Sequence, residues 1–61
     1  MNEYNIIIDL AISYMEIEKE TNKTKQEKVD TIINKFKIVL PHNLFIDYYY
    51  FILYFLDIYL I

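Results

Sequence analysis

From Leu44 to Ile61, only Asp47 and Asp57 are neither apolar nor aromatic. A stretch so uniformly apolar has to be buried in a core, in an interface or in lipid. The whole chain has only 61 residues, enough for one domain over 1–61. A domain of this size buries only about 60% of the surface its unfolded chain exposes, and it is marginal without help. Disulfides and thiolate metal sites are excluded, because there is no cysteine. A lone histidine, His42, excludes a multi-histidine site. No metal and no cofactor is expected. What remains is a well-formed helical core or association with another chain. Composition favours association: 56% of the residues are hydrophobic, against roughly 45–50% in ordinary domains.

The chain has no glycine and one proline, so breaks in secondary structure are few. The polar run Thr21-Asn22-Lys23-Thr24 is one and Pro41-His42-Asn43 is the other. They separate three segments of helical length, with helices expected at about 2–20, 25–40 and 43–61.

In the first segment Asn2 is the expected N-cap, with Glu3 well placed for the helix dipole. Tyr4, Ile7, Ile8, Ala11, Tyr14 and Met15 recur at helical spacing and form an apolar face. Ile6, Leu10 and Ile17 widen it. Asn5, Asp9, Ser13, Glu16 and Glu20 form a polar stripe opposite. An arc this wide calls for more than one neighbour.

The second segment opens on a capping box, Thr24-Lys25-Gln26-Glu27: the Thr24 hydroxyl caps the Glu27 amide while the Glu27 carboxylate reaches back. Val29, Ile32, Ile33, Phe36 and Leu40 form one apolar stripe, with Lys28, Thr31 and Lys35 on the outer side. Pro41 ends the helix, because the residue before a proline is pushed out of helical geometry.

The third segment is rich in strand-favouring Tyr, Phe and Ile. It does not alternate, however, and Asn43, Asp47, Tyr50, Tyr54 and Asp57 recur at steps of four and three. The helical reading is therefore preferred, with Asn43 as N-cap. The fold class is all-α: a small three-helix bundle, or a helical hairpin plus a C-terminal aromatic helix, completed by self-association or a partner.

Chemistry is sparse. Ten helical residues put Asp47 and Asp57 about 15 Å apart, beyond the roughly 5–9.5 Å of paired catalytic carboxylates. His42 reads as a turn residue. Ser13 is the only serine, and no base is positioned to activate it. Without glycine there is no phosphate-cradling loop. An enzyme is not expected.

Net charge is −3, and all six lysines lie between Lys19 and Lys37. Lys25, Lys28 and Lys35 share helix 2, where they suit a solvated face that pairs with Asp9, Glu16 and Glu20 of helix 1 in an antiparallel hairpin. No nucleic-acid partner is expected of an acidic chain without a dense basic face. Ile, Asn, Lys and Tyr fill about half the chain and arginine is absent. That bias reads as the codon trace of an AT-rich genome, as in a virus, phage, plasmid or other mobile element, an organelle or an AT-rich microbe.

The tyrosines carry the functional expectation. Tyrosine buries a large area while keeping a polar tip, which suits interfaces. Five tyrosine hydroxyls on one short helix cannot all find partners in a tiny core. The expected protein-binding surface is Tyr48, Tyr50, Phe51, Tyr54, Phe55 and Ile58, engaging a protein partner or a second copy, in the cytoplasm of its own cell or of a host. The alternative is a membrane-associated peptide or small subunit anchored by residues 44–61. Eighteen helical residues span about 27 Å, near the roughly 30 Å hydrocarbon core. Against it, Asp47 and Asp57 both intrude.

Overall fold

A computed structural model describes residues 5–60. Among these it contains three α-helices and no strand: α1 (Ile6–Glu18), α2 (Lys25–Val39) and α3 (His42–Tyr59). The fold is all-α, and the three-helix reading holds.

Local chemistry explains most of the boundaries. α1 starts after Asn5, whose side chain accepts from the Ile7 and Ile8 amides at 3.0 and 3.3 Å. Asn5 is thus the cap of α1; Asn2, expected to cap the first helix, lies outside the described residues, as do Glu3 and Tyr4. The capping box of α2 is complete. Thr24 donates its amide to Glu27 Oε1 at 2.8 Å, and the Glu27 amide donates to Thr24 Oγ1 at 3.2 Å. α2 ends at Val39, and Leu40 is extended (φ −89, ψ 144), the geometry forced on the residue before a proline. α3 starts at His42, one residue earlier than expected. Pro41 holds the N-cap position without a side-chain cap, and its carbonyl accepts from the Phe45 amide at 2.9 Å. The fixed φ of proline and its missing N–H cost nothing at a helix start, where that donor would be unpaired anyway. Asn43 is therefore a first-turn residue and not the cap.

The helices run up, down and up. Asp9 and Glu18 of α1 meet Lys35 and Lys28 of α2, so those two helices are antiparallel. Lys25 at the start of α2 meets Asp57 near the end of α3, so that pair is antiparallel as well. α2 packs closely along α3 and less closely along α1. α1 and α3 are bridged by rings: Tyr14 sits edge-on to Phe55 and to Tyr59, each at 6.1 Å between centroids.

Leu10, Phe36, Ile52 and Leu56 are completely buried, and Ile6, Ile17, Ile32, Leu40 and Leu60 complete the core. The α2 stripe agrees with expectation: Ile32, Phe36 and Leu40 are buried, and Val29 and Ile33 pack against them. α1 does not. Its buried face is Ile6, Leu10, Ser13 and Ile17, while Ile7, Ile8, Ile12 and Met15 are exposed. Within the wide apolar arc the Ile6, Leu10 and Ile17 flank faces inward and the Ile7, Ile8 and Met15 flank faces outward. Ser13, assigned to the solvent stripe, is buried, and its hydroxyl donates to Asp9 Oδ1 at 3.3 Å.

Lys28 is the second correction. It was placed outside, yet only 8% of it is exposed. Its methylene stem covers the core while the ammonium reaches Glu18 at 3.7 Å, the snorkelling arrangement open to a long cationic side chain.

Candidate interaction surface

Two apolar seams run along α3, each at steps of four and three. The inner one, Phe45, Tyr49, Ile52, Leu56 and Tyr59, includes the buried centre of the helix. The outer one, Leu44, Tyr48, Phe51, Phe55 and Ile58, is turned by about one residue, or 100°. The two helices packed on α3 bury the centre of the first seam and leave much of the second in solvent. Tyr48, Phe51 and Ile58 remain 39%, 41% and 52% exposed.

The six residues singled out in the sequence therefore divide into groups. Tyr48, Phe51, Phe55 and Ile58 share the outer seam, on the side nearer α1. Phe55 is the least available, being half-buried with its ring against Tyr14 and within 4.7 Å of Tyr59. It supports the seam from beneath more than it presents itself. Tyr54 lies at the rim, pointing away from the core and 68% exposed. Tyr50 is the most exposed, at 79%. It leans to the opposite side, the side of Leu53 and Asp57, which with Lys25, Gln26 and Val29 line an open groove of about 590 Å³ between α2 and α3. Five of the six thus expose substantial surface, but they do not form one patch.

The tyrosine hydroxyls raise no burial problem, because Tyr48, Tyr50, Tyr54 and Tyr59 all reach solvent. No buried side-chain nitrogen or oxygen among the described residues lacks a hydrogen-bond partner.

The polar groups serve structure. Lys35 donates to Asp9 at 2.6 Å and also to the Ser13 hydroxyl. Lys25 donates to the Asp57 carbonyl at 3.2 Å and approaches its carboxylate at 3.4 Å, satisfying a last-turn acceptor of α3. Lys23 meets Glu20 at 3.5 Å in the turn. The expected hairpin pairing holds at Asp9, whereas Glu20 pairs within its own turn and Glu18 takes the interhelical role. Each of Lys25, Lys28 and Lys35 is matched to a carboxylate, so they do not form a free cationic patch.

Glu27 has its carboxyl held below the ordinary glutamate value, first by the Thr24 backbone hydrogen bond and then by the Thr24 side chain. That shift belongs to helix capping. No hydrogen bond joins His42 to Asp47, and both are exposed. Among the described residues no group of three or more His, Cys, Asp and Glu is placed to hold a metal ion. No described helix is long and apolar enough to cross a membrane.

Exposed apolar residues on α1 are the part that sequence reasoning missed. Spacing alone puts Ile7, Ile8 and Met15 on the same apolar arc as Ile6, Leu10 and Ile17 and does not say which flank is outside. The signal was present in the second apolar set, Ile6, Leu10 and Ile17, which competes with them for the inside. Compared with family models, curated proteins and solved structures, the chain matches none.

Proposed function

We propose that this protein is a non-catalytic interaction module, a small regulatory or accessory factor, that binds protein through the outer side of α3. One observation carries the reading: after the core is filled, the seam of Tyr48, Phe51 and Ile58, with Tyr54 at its rim, still offers large, half-exposed apolar side chains. Aromatic anchors of this kind dominate protein interfaces, and truncating one commonly costs 2 kcal/mol or more. The seam also repeats at steps of four and three, the spacing with which one helix receives another. In this reading the protein acts in the cytoplasm of its own cell or of a host.

Site-specific photo-crosslinking in living cells tests the reading. A benzophenone side chain placed at Phe51 or Tyr54 is expected to capture protein. The same group at Asn34, exposed on the outer side of α2, serves as the control. Equal adduct yields from α3 and from Asn34 would refute an α3 binding surface.

A further inference from the structure

Tyr14 fixes how α1 and α3 lie against each other. Both run antiparallel to α2, so they are parallel to one another. Ile7 and Ala11 lie two turns and one turn before Tyr14, and Tyr48 and Phe51 lie two turns and one turn before Phe55, the ring that Tyr14 touches. The exposed strip of α1 beside this junction is aliphatic: Ile7, Ile8 and Met15 are 58%, 57% and 56% exposed. On α3 the neighbouring strip is the outer seam, largely aromatic, with Leu44 at its start and Ile58 near its end. The two strips form one face of the bundle.

Its area is too large for an ordinary free surface. Seven side chains of about 200 Å² each, close to half exposed, give roughly 700 Å². The largest apolar patch on a typical monomer is about 300–600 Å². A standard interface takes about 800 Å² from each partner.

We propose that a second copy of this chain covers this face, related by a two-fold axis parallel to α1 and α3. That axis lays the aliphatic strip of each copy on the aromatic strip of the other. The face is suited to itself in this way. Ala11 leaves room beside Ile7 and Ile8 for a ring from the other copy, and methionine packs favourably against aromatic rings. No charged residue lies within either strip; Glu18, Lys19 and Asp47 stand at the ends and rim, where water still reaches them. A two-fold contact satisfies both copies at once and leaves no open end to polymerise. It also supplies the association that so small a core calls for. The inference rests on the proposed binding role of α3, adds α1 to the surface and names the occupant.

The test is sedimentation equilibrium of the full chain from about 1 to 100 µM, a range that brackets micromolar self-association. The expected mass is twice the 7.5 kDa of one chain. Phe51→Lys and Ile8→Glu, which the axis brings to nearly the same height, are each expected to weaken the dimer about thirtyfold or more. Mixed in equal amounts they are expected to recover it, because the lysine of one copy then faces the glutamate of the other. Tyr50→Lys, on the far side of α3, should dimerise like the parent chain. Should either variant unfold alone, the mixture still decides: recovery of helicity together with dimer mass supports the pairing. A monomer throughout the range, an assembly larger than a dimer, or a dimer indifferent to both substitutions overturns the proposal. Loss of the dimer without recovery on mixing overturns the arrangement of strips. A monomeric chain whose α3 positions still crosslink to a different protein overturns the dimer while leaving the interaction role standing.

Discussion

Phe36 and Tyr50 separate the energetics of the core from those of the exposed surface. Phe36 is completely buried on the central helix, among core residues of all three helices, and Tyr50 is 79% exposed on α3. Replacing a buried phenylalanine by alanine costs about 3–5 kcal/mol, from lost transfer energy and the cavity left behind. A chain of this length has roughly 3–9 kcal/mol to lose, at about 0.05–0.15 kcal/mol per residue. Phe36→Ala should therefore remove a third or more of the stability and at the lower end unfold the chain. Ile33→Ala, at a half-buried position of the same stripe, should act in the same direction and less strongly. Tyr50→Ala leaves no cavity and should change stability by no more than about 0.5 kcal/mol. Tyr54→Ala, also at a mostly exposed site, should behave likewise. The assay is urea unfolding followed by far-ultraviolet circular dichroism, repeated over a dilution series because any oligomer adds a concentration-dependent contribution. A loss below about 1 kcal/mol for Phe36→Ala at unchanged slope, or an equal loss for Tyr50→Ala at the lowest concentration, would show that the core has been misplaced.

Three further outcomes follow from local contacts. Thr24→Ala should cost about 0.5–2 kcal/mol, and Thr24→Ser should restore most of it, because only the hydroxyl is needed to cap the Glu27 amide; equal melting temperatures for all three chains would contradict the box. Glu27 has a folded-state pKa below its unfolded value, so its contribution is present above the ordinary glutamate range and is lost as pH falls through the lowered value. The melting-temperature gap between the parent chain and Glu27→Gln should accordingly close on acidification, and a gap that widens would reverse the sign of that argument. Asp47→Asn, Asp57→Asn and His42→Ala should act on stability or association alone, by no more than about 1 kcal/mol for the exposed Lys25–Asp57 pair; a turnover lost through one of them with folding intact would make this chain an enzyme.

Where the sequence offered one apolar stripe against a charged background, its inside could be read directly. α2 has Ile32, Phe36 and Leu40 bordered by lysines and acids, and its buried face was legible. Thr24-Lys25-Gln26-Glu27 was legible for a similar reason, since the cap is local chemistry that no distant contact overrides. α1 lacks that contrast. Its apolar residues occupy most of the helix circumference, so spacing alone leaves two choices for the inner face. The outward position of Tyr50 and Tyr54 was legible because Asn43, Asp47 and Asp57 share their stripe. The separation of Tyr50 from Tyr48, Phe51 and Ile58 was not, because it depends on which side of α3 the other helices occupy.

What selects the inner face of α1 is the set of polar contacts that flank it. Turning Ile7, Ile8 and Met15 inward would carry Asp9 and Ser13 away from α2 and leave the half-buried Lys35 ammonium without the Asp9 carboxylate and Ser13 hydroxyl that it now meets. It would also break the ion pair of the mostly buried Lys28 with Glu18. Ion pairs at an exposed surface are worth only about 0–1 kcal/mol each. Leaving a partly buried cation unmatched costs more, because the charge has given up water and received nothing in exchange. Between two apolar faces of similar size, hydrophobic burial is nearly equal and cancels from the comparison. A difference of one or two kcal/mol in polar matching then decides the rotation of the helix. The apolar face that loses this competition stays on the outside as an exposed strip, and the binding surface proposed for α1 is in this sense a by-product of how its inside was chosen.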